Sequence, residues 1–142
     1  MKLLIKNGRV IDPANQIDGA FDILVEKEKI QIIAPKEKLN GRYTEGEKTI
    51  DAKECIVAPG FIDMHVHFRE PGFEYKETIK TGCQSAAAGG FTTVAVMPNT
   101  NPVIDNRSVT EMVQASAKRF GIINVLVIGA ITQGLKGKRL TE

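Results

Sequence analysis

The chain has 142 residues, 42% hydrophobic and 25% charged, the length and composition of one ordinary globular domain. Its 19 lysine and arginine residues against 17 aspartate and glutamate residues give a formal charge of +2, spread without a basic patch, which argues against nucleic acid as a partner. Only three consecutive apolar residues precede Lys6, so neither a signal peptide nor a membrane span is predicted there. We expect a cytoplasmic protein in which Cys55 and Cys83 are small buried residues.

Residues 1–55 carry the alternation of apolar and polar residues that is typical of β-strands. The segments KLLIK and RVI flank Asn7-Gly8, which predicts a hairpin turn because this dipeptide accepts positive φ angles. Further strands are predicted over residues 21–26, 29–34 and 48–51. We therefore expect residues 1–55 to form a small antiparallel sheet.

Residues 56–142 have a different pattern, in which strands alternate with segments of helical period. This order predicts βαβ units and a parallel sheet of the α/β class. We expect a first strand over residues 55–68, interrupted by Pro59-Gly60, and a first helix that ends at Gly89-Gly90. The second helix is predicted to begin at Ser108 as N-cap, with Glu111 completing a capping box. The predicted elements are strands 55–68, 91–97 and 124–131 and helices 76–88 and 108–120.

Three such units do not close a sheet. A (β/α)8 barrel requires about 250 residues, and three strands of the buried parallel type would leave an open edge. We therefore expect that residues 56–142 are either a fragment of a larger sheet or a sheet that another chain completes.

Both histidines of the chain, His65 and His67, lie in the stretch PGFIDMHVHFREPG. Because successive side chains of a strand point to opposite faces, Asp63, His65, His67 and Arg69 are expected on one side. Met64, Val66 and Phe68 are expected on the other side, packed against the helices. Two imidazoles two residues apart can reach one metal ion, so this segment predicts a metal site at the carboxyl end of a strand. The simpler alternative is two histidines that lie close together by chance.

The segment VMPNTNP ends the second predicted strand abruptly in amides and prolines. Asn99 is therefore expected just beyond this strand, beside the histidine strand, where it can hydrogen-bond a substrate. An ordinary turn explains the same residues equally well, because Asn and Pro favour turns for local reasons.

The two segments PGFIDMHVHFREPG and AAAGGFTTVAVMPNTNP together resemble the amidohydrolase superfamily, and within it the dihydroorotase family of the class I bacterial type. The His-x-His strand is shared with hydantoinases and allantoinases. The continuation Arg69-Glu70-Pro71-Gly72 and the segment MPNTNP narrow the resemblance to the dihydroorotase family. Hydantoinases lack the pair formed by Arg69 and Asn99.

The resemblance implies that residues 1–55 are part of a small β-sandwich domain and that residues 56–142 are the first β/α units of a (β/α)8 barrel. It also implies that His65 and His67 bind zinc, one or two ions, and that His67, Arg69 and Asn99 contact the substrate. It implies reversible closure of N-carbamoyl-L-aspartate to L-dihydroorotate in pyrimidine biosynthesis, with a planar guanidinium gripping the substrate's carboxylate. The remaining metal ligands and the catalytic aspartate are expected beyond Glu142, so no general acid or base is assigned within the chain. Asp63 is a candidate to orient an imidazole, or a structural hydrogen-bonding residue.

Two other functions stay open at this point. One is hydantoinase-type or dihydropyrimidinase-like hydrolysis of another cyclic amide, which Arg69 and Asn99 disfavour. The other is a non-catalytic scaffold that binds aspartate carbamoyltransferase; relatives of that kind lose the metal-binding histidines, whereas this chain keeps both. The resemblance also leaves a homo-oligomer open.

Overall fold

A computed structural model of the chain describes residues 2–35, 38 and 48–141. The chain divides into two compact units, Met1–Pro59 and Gly60–Glu142. Within the described residues, no helix is long and apolar enough to cross a membrane. Cys83 is buried and Cys55 is exposed, and both are free thiols, so the expectation of burial is wrong for Cys55.

The first unit is built around one mixed β-sheet. Its strands are β1 (Lys2–Asp12), β2 (Ile17–Glu26), β3 (Lys29–Pro35), β4 (Lys48–Asp51) and β5 (Ile56–Val57). β1 pairs antiparallel with β2, and β2 with β3, as predicted. However, β4 and β5 both pair with β1 in parallel, so a purely antiparallel sheet is the wrong description.

The dipeptide Asn7-Gly8 is not a hairpin turn. β1 continues through it, and the pairing with β2 shifts register between Ile5 and Gly8, which marks a β-bulge. Asn7 has a φ of 66°, and its amide donates to Oδ1 of the buried Asp22 over 3.0 Å. The positive φ that the sequence signals is thus used inside a strand, and the chain reverses later, in the short 3-10 turn Pro13–Asn15.

The expected strand over residues 55–68 is two strands in two different sheets. β5 pairs with β1 of the first unit, whereas β6 (Phe61–Val66) pairs with a strand of the second unit. Pro59-Gly60 therefore separates two units rather than interrupting one strand. A Cβ atom on Gly60 would lie 2.1 Å from the Thr92 side chain, so the start of β6 has room only for glycine.

The second unit contains three parallel strands joined by two α-helices. Its elements after β6 are α1 (Ile79–Ala88), β7 (Phe91–Val96), α2 (Arg107–Phe120) and β8 (Asn124–Val127). The sheet order β6-β7-β8, with both pairs parallel, confirms the predicted βαβ arrangement. The core between sheet and helices consists of Phe68, Ile79, Cys83, Val94, Val96, Ile104, Val109 and Val113.

Both helices begin at residues other than those predicted. Thr78 caps α1 in a capping box with Thr81, which places the start three residues after the expected one. Asn106 caps α2, since its Oδ1 accepts from the Val109 amide over 3.1 Å. The assignment of Ser108 as N-cap is therefore wrong. Asn caps a helix as well as Ser does, and the earlier start lets Arg107 and Glu111 form an i, i+4 ion pair at 2.6 Å.

Candidate active site

The histidine segment leaves the regular strand before its second histidine. β6 ends at Val66, and its pairing with β7 shifts register between Asp63 and Val66. Val66 and Phe68 pack into the helix-facing core as expected, but Met64 is 78% exposed, so its predicted packing against the helices is wrong. The irregular pairing breaks the simple alternation of faces on which that expectation depended.

The imidazoles of His65 and His67 converge despite this irregularity. Their Nε2 atoms lie 3.2 Å apart, and the ring planes are inclined by 64°. Two Zn–N bonds of about 2.05 Å that span 3.2 Å enclose an angle of about 103°, near the tetrahedral value of about 109°. The separation of the two nitrogen atoms therefore fits two imidazoles that share one tetrahedral zinc ion.

Asn99 completes this cluster from the neighbouring strand. Its Oδ1 lies 2.9 Å from Nδ1 of His67, in the loop that follows β7. Because an amide oxygen can only accept, this contact requires a proton on Nδ1, which leaves the Nε2 lone pair of a neutral His67 for a metal. The amide NH2 of Asn99 donates to no acceptor among the described residues, so it is available as a donor to a substrate.

Arg69 and Asp63 lie beside the cluster without bonding to the imidazoles. Within the part of the chain that the structure describes, the Arg69 guanidinium forms no hydrogen bond or ion pair. Asp63 accepts from the backbone amide of His65 over 3.0 Å, and among the described residues its carboxylate has no bond to an imidazole ring. Asp63 thus shapes the bulged backbone at His65.

The loops that follow β6 and β7 are locked together. The Asn101 amide donates to the Pro71 carbonyl over 3.0 Å. Gly72 has a φ of +93°, and a Cβ atom there would lie 1.9 Å from the Asn101 carbonyl oxygen. This backbone contact fixes the loop that carries Arg69 against the loop that carries Asn99.

Glu70 belongs to this region although it was not singled out from the sequence. Its Oε2 accepts from the Ile79 amide over 2.9 Å, and its Oε1 accepts from the Ser116 hydroxyl over 2.8 Å. By helical spacing, Ser116 shares a face of α2 with the buried Val109 and Val113. A hydroxyl on such a face indicates a buried polar partner, but it does not say which residue that is.

The residues present fit part of a zinc site. Imidazole nitrogen is a preferred zinc ligand, and a catalytic zinc takes about three protein ligands and keeps one position open. Among the described residues, no cluster of three or more His, Cys, Asp or Glu side chains could hold a metal ion. His65 and His67 therefore suit two ligands of such a set, which would need at least one more.

Comparison with known proteins places the chain in a family. The sequence model of the Dihydro-orotase-like family matches residues 54–142. The dihydroorotase of Geobacter sulfurreducens is 55% identical over an alignment of 147 positions that covers 100% of this chain and 32% of the relative. The dihydroorotase of Aquifex aeolicus is 48% identical, with the same coverage. The chain thus spans about a third of the length of the curated relatives it matches.

Solved structures with the same fold come from related hydrolases. The L-hydantoinase (dihydropyrimidinase) of Arthrobacter aurescens superposes with a TM-score of 0.78 at 26% identity, over 92% of this chain and 28% of that protein. The D-hydantoinase (dihydropyrimidinase) of a Thermus species gives a TM-score of 0.71 at 29% identity, with the same coverage. The family match spans more than half of the chain and includes both histidines, Arg69 and Asn99; the chain therefore belongs to the dihydroorotase-like family.

Proposed function

We propose that this chain is the amino-terminal part of a zinc-dependent dihydroorotase, in which β6, β7 and β8 are the first three strands of a (β/α)8 barrel. The reaction is the reversible cyclisation of N-carbamoyl-L-aspartate to L-dihydroorotate in pyrimidine biosynthesis. The observation that carries the proposal is the convergence of His65 and His67 with Asn99 at the carboxyl ends of two neighbouring strands, where barrel enzymes build their active sites.

Nε2 of His65 and Nε2 of His67 would hold the metal on this side, because their separation suits one zinc ion. A zinc ion in this position would supply Lewis-acid polarisation of the amide carbonyl and a water of lowered pKa. The Asn99 amide oxygen keeps the His67 ring in the orientation and tautomer that zinc binding needs. The further ligands come from outside this chain, and so does the aspartate that exchanges a proton with the substrate.

The substrate's carboxylate is bound by Arg69 and Asn99. The guanidinium presents parallel N–H groups that match a carboxylate, which an ammonium group does not reproduce. Arg69 is free to make this contact, because it has no other side-chain partner among the described residues. The Asn99 NH2 donates to the same anion while its oxygen accepts from His67, so one side chain links substrate and metal ligand.

The test joins residues 1–142 in frame to the carboxyl-terminal two thirds of the Geobacter sulfurreducens dihydroorotase, replacing the segment of that enzyme which this chain matches. We expect this joined protein to convert L-dihydroorotate when loaded with zinc, and the isolated 142-residue polypeptide to show no turnover. The unaltered Geobacter enzyme is the positive control. An inactive joined protein that folds and binds zinc would contradict the proposal, and so would turnover by the isolated polypeptide.

Hydantoinase-type hydrolysis is the second candidate, because the superposed structures are hydantoinases. The two functions differ in their need for a carboxylate on the substrate. We expect the joined protein to prefer L-dihydroorotate over hydantoin, and Arg69→Ala to remove that preference by raising KM for dihydroorotate alone. Faster turnover of hydantoin, unchanged by Arg69→Ala, would favour the hydantoinase.

The proposal also extends to partners and compartment. Free thiols at Cys55 and Cys83 suit a reducing compartment, and we place the enzyme in the cytoplasm. A complex with aspartate carbamoyltransferase is a proposal that co-purification tests. A stable complex without bound zinc would favour a scaffold over an enzyme.

A further inference from the structure

The carboxylate of Glu70 joins the histidine segment to both helices of the second unit. Oε2 accepts from the amide of Ile79, the first residue of α1, over 2.9 Å. Oε1 accepts from the hydroxyl of Ser116 in α2 over 2.8 Å. Hydrogen bonds to an ionised acceptor are about twice as strong as those between neutral groups, and the positive end of the α1 dipole favours a negative charge at this point. Glu70 is therefore a strong attachment point for the segment that contains it.

The residues on both sides of Arg69 are each held by a contact with another element or loop. Phe68 is 6% exposed, with its ring in the space that the missing side chain of Gly82 leaves. Glu70 is held by its two acceptor bonds, and Pro71 is held by the Asn101 amide. Arg69 is the exception in this run, because its guanidinium bonds to no described residue. Its direction is consequently set by the backbone on either side.

We propose that Glu70 is a positioning residue: its bonds to the Ile79 amide and the Ser116 hydroxyl hold the backbone that aims Arg69 at the anionic group of the substrate. The inference rests on the proposed function, in which Arg69 grips that anion. Glu70 itself does not touch the substrate, since both of its oxygen atoms are engaged on the helix side. Its effect on catalysis passes through Arg69 and the Arg69–Asn99 spacing.

A purely structural role of Glu70 would have different consequences. Loss of Glu70 would then lower the stability of the fold and the amount of zinc bound, with no selective effect on the substrate's anionic group. A positioning residue instead changes KM for dihydroorotate in the folded, zinc-loaded enzyme. Misplacement of a binding group by about 1 Å can cost up to about a hundredfold, so the expected effect is measurable.

The experiment uses the joined protein with full zinc content. Glu70→Gln keeps the size of the side chain but removes its charge. Ser116→Ala removes one of the two groups that donate to Glu70, and Ser116 lies outside the site. We expect Glu70→Gln to raise KM for L-dihydroorotate about tenfold and Ser116→Ala about threefold, both with kcat changed less than twofold. Glu111→Gln, on the exposed side of α2, is the matched control and should leave KM unchanged.

A double-mutant cycle with Arg69→Ala tests whether Glu70 acts through Arg69. Once the guanidinium is absent, Glu70→Gln should raise KM no further, because the group that it positions is gone. Additive effects in this cycle would overturn the inference, as would a Glu70→Gln variant with a lower melting temperature and an unchanged KM. Failure of the proposed function would be seen earlier, as absence of dihydroorotate turnover in the unsubstituted joined protein.

Discussion

At the scale of single residues, the most informative contact is that between His67 and Asn99. Two histidines two residues apart on an exposed strand could adopt many ring orientations. The Asn99 oxygen, 2.9 Å from Nδ1 of His67, selects the orientation in which both Nε2 atoms face the same point. In the proposed enzyme, Asn99 would thus act on the metal site as well as on the substrate.

Asn99→Ala should therefore weaken zinc binding by the joined protein, in addition to raising KM. Loss of such a partner of a metal-binding histidine typically costs about 10- to 100-fold in metal affinity. Zinc affinity is measured by competition with a chromophoric chelator. Asn124→Ala is the matched control, because Asn124 bonds to Thr93 and lies at the opposite ends of the strands. Unchanged zinc affinity in Asn99→Ala would show that the His67–Asn99 bond does not preorganise the ligand.

At the scale of elements, the packing of α1 on the histidine segment depends on one missing side chain. A Cβ atom on Gly82 would lie 2.4 Å from the Phe68 ring. Gly82 is otherwise an unfavourable residue inside a helix, by about 1 kcal/mol relative to Ala. The close approach of Phe68 explains why glycine stands at this position.

Gly82→Ala is accordingly expected to destabilise the joined protein by about 1–3 kcal/mol, because overpacking exceeds the gain in helix propensity. The thermal unfolding midpoint measures this change. Gly129→Ala is the control and should be nearly neutral, since the nearest atom to its Cβ is 3.9 Å away and its φ is not positive. A higher midpoint in Gly82→Ala would mean that Phe68 moves aside at little cost.

The loop after β8 is attached to the loop after β7 by Asp105. Its Oδ2 accepts from the Gly134 amide over 2.6 Å. The pKa of Asp105 lies below its ordinary value of 3.8. The hydrogen bond from the Gly134 amide is the largest cause, and the hydrogen bond from the Asn106 side chain is the second. Because the folded-state pKa is lowered, the bond stabilises the loop above about pH 3.8 and is lost as pH falls through the lowered pKa.

Asp105→Asn should therefore increase deuterium uptake by residues 130–141 in the joined protein at pH 6. The difference from the unsubstituted protein should shrink as the pH falls below about 3.8, once exchange times are scaled for intrinsic rates. Asp18→Asn, which removes a carboxylate paired with Arg9 in the other unit, is the control and should leave this segment unchanged. A difference that persists at the lowest pH would show that the charge of Asp105 is not what holds the loop.

The sequence revealed the elements because periodicity is a local property, and it failed where tertiary contacts chose between local options. Asn7-Gly8 signals positive φ in a hairpin and in a bulge alike, and only the pairing with β2 distinguishes the two. Asn106 and Ser108 are both good N-caps, so the start of α2 was ambiguous by two residues. His65 and His67 were evident because they lie two residues apart in one short segment. Glu70 was not, because its partner Ser116 lies 46 positions away.

At the scale of the whole molecule, the chain provides one side of a proposed barrel. β6 and β8 are the two edge strands of the parallel sheet in the described residues, and both carry exposed apolar side chains. Ile62 is 64% exposed and Met64 78% on β6, and Leu126 is 56% exposed on β8. Exposed apolar surface on open strand edges promotes association, and in the proposed barrel further strands would cover it.

The isolated 142-residue polypeptide should consequently bind the dye ANS and associate with rising concentration, whereas the joined protein should do neither at the same concentration. The double variant Ile62→Thr/Leu126→Thr should lower dye fluorescence of the isolated polypeptide, because it removes apolar surface from both edges and threonine, which is β-branched, suits a strand. Ile30→Thr changes a similarly exposed residue of β3 in the other unit (61%) and should have a smaller effect. Equal dye binding by the isolated and the joined protein would mean that the additional strands do not cover this sheet, and the barrel proposed here would then be wrong.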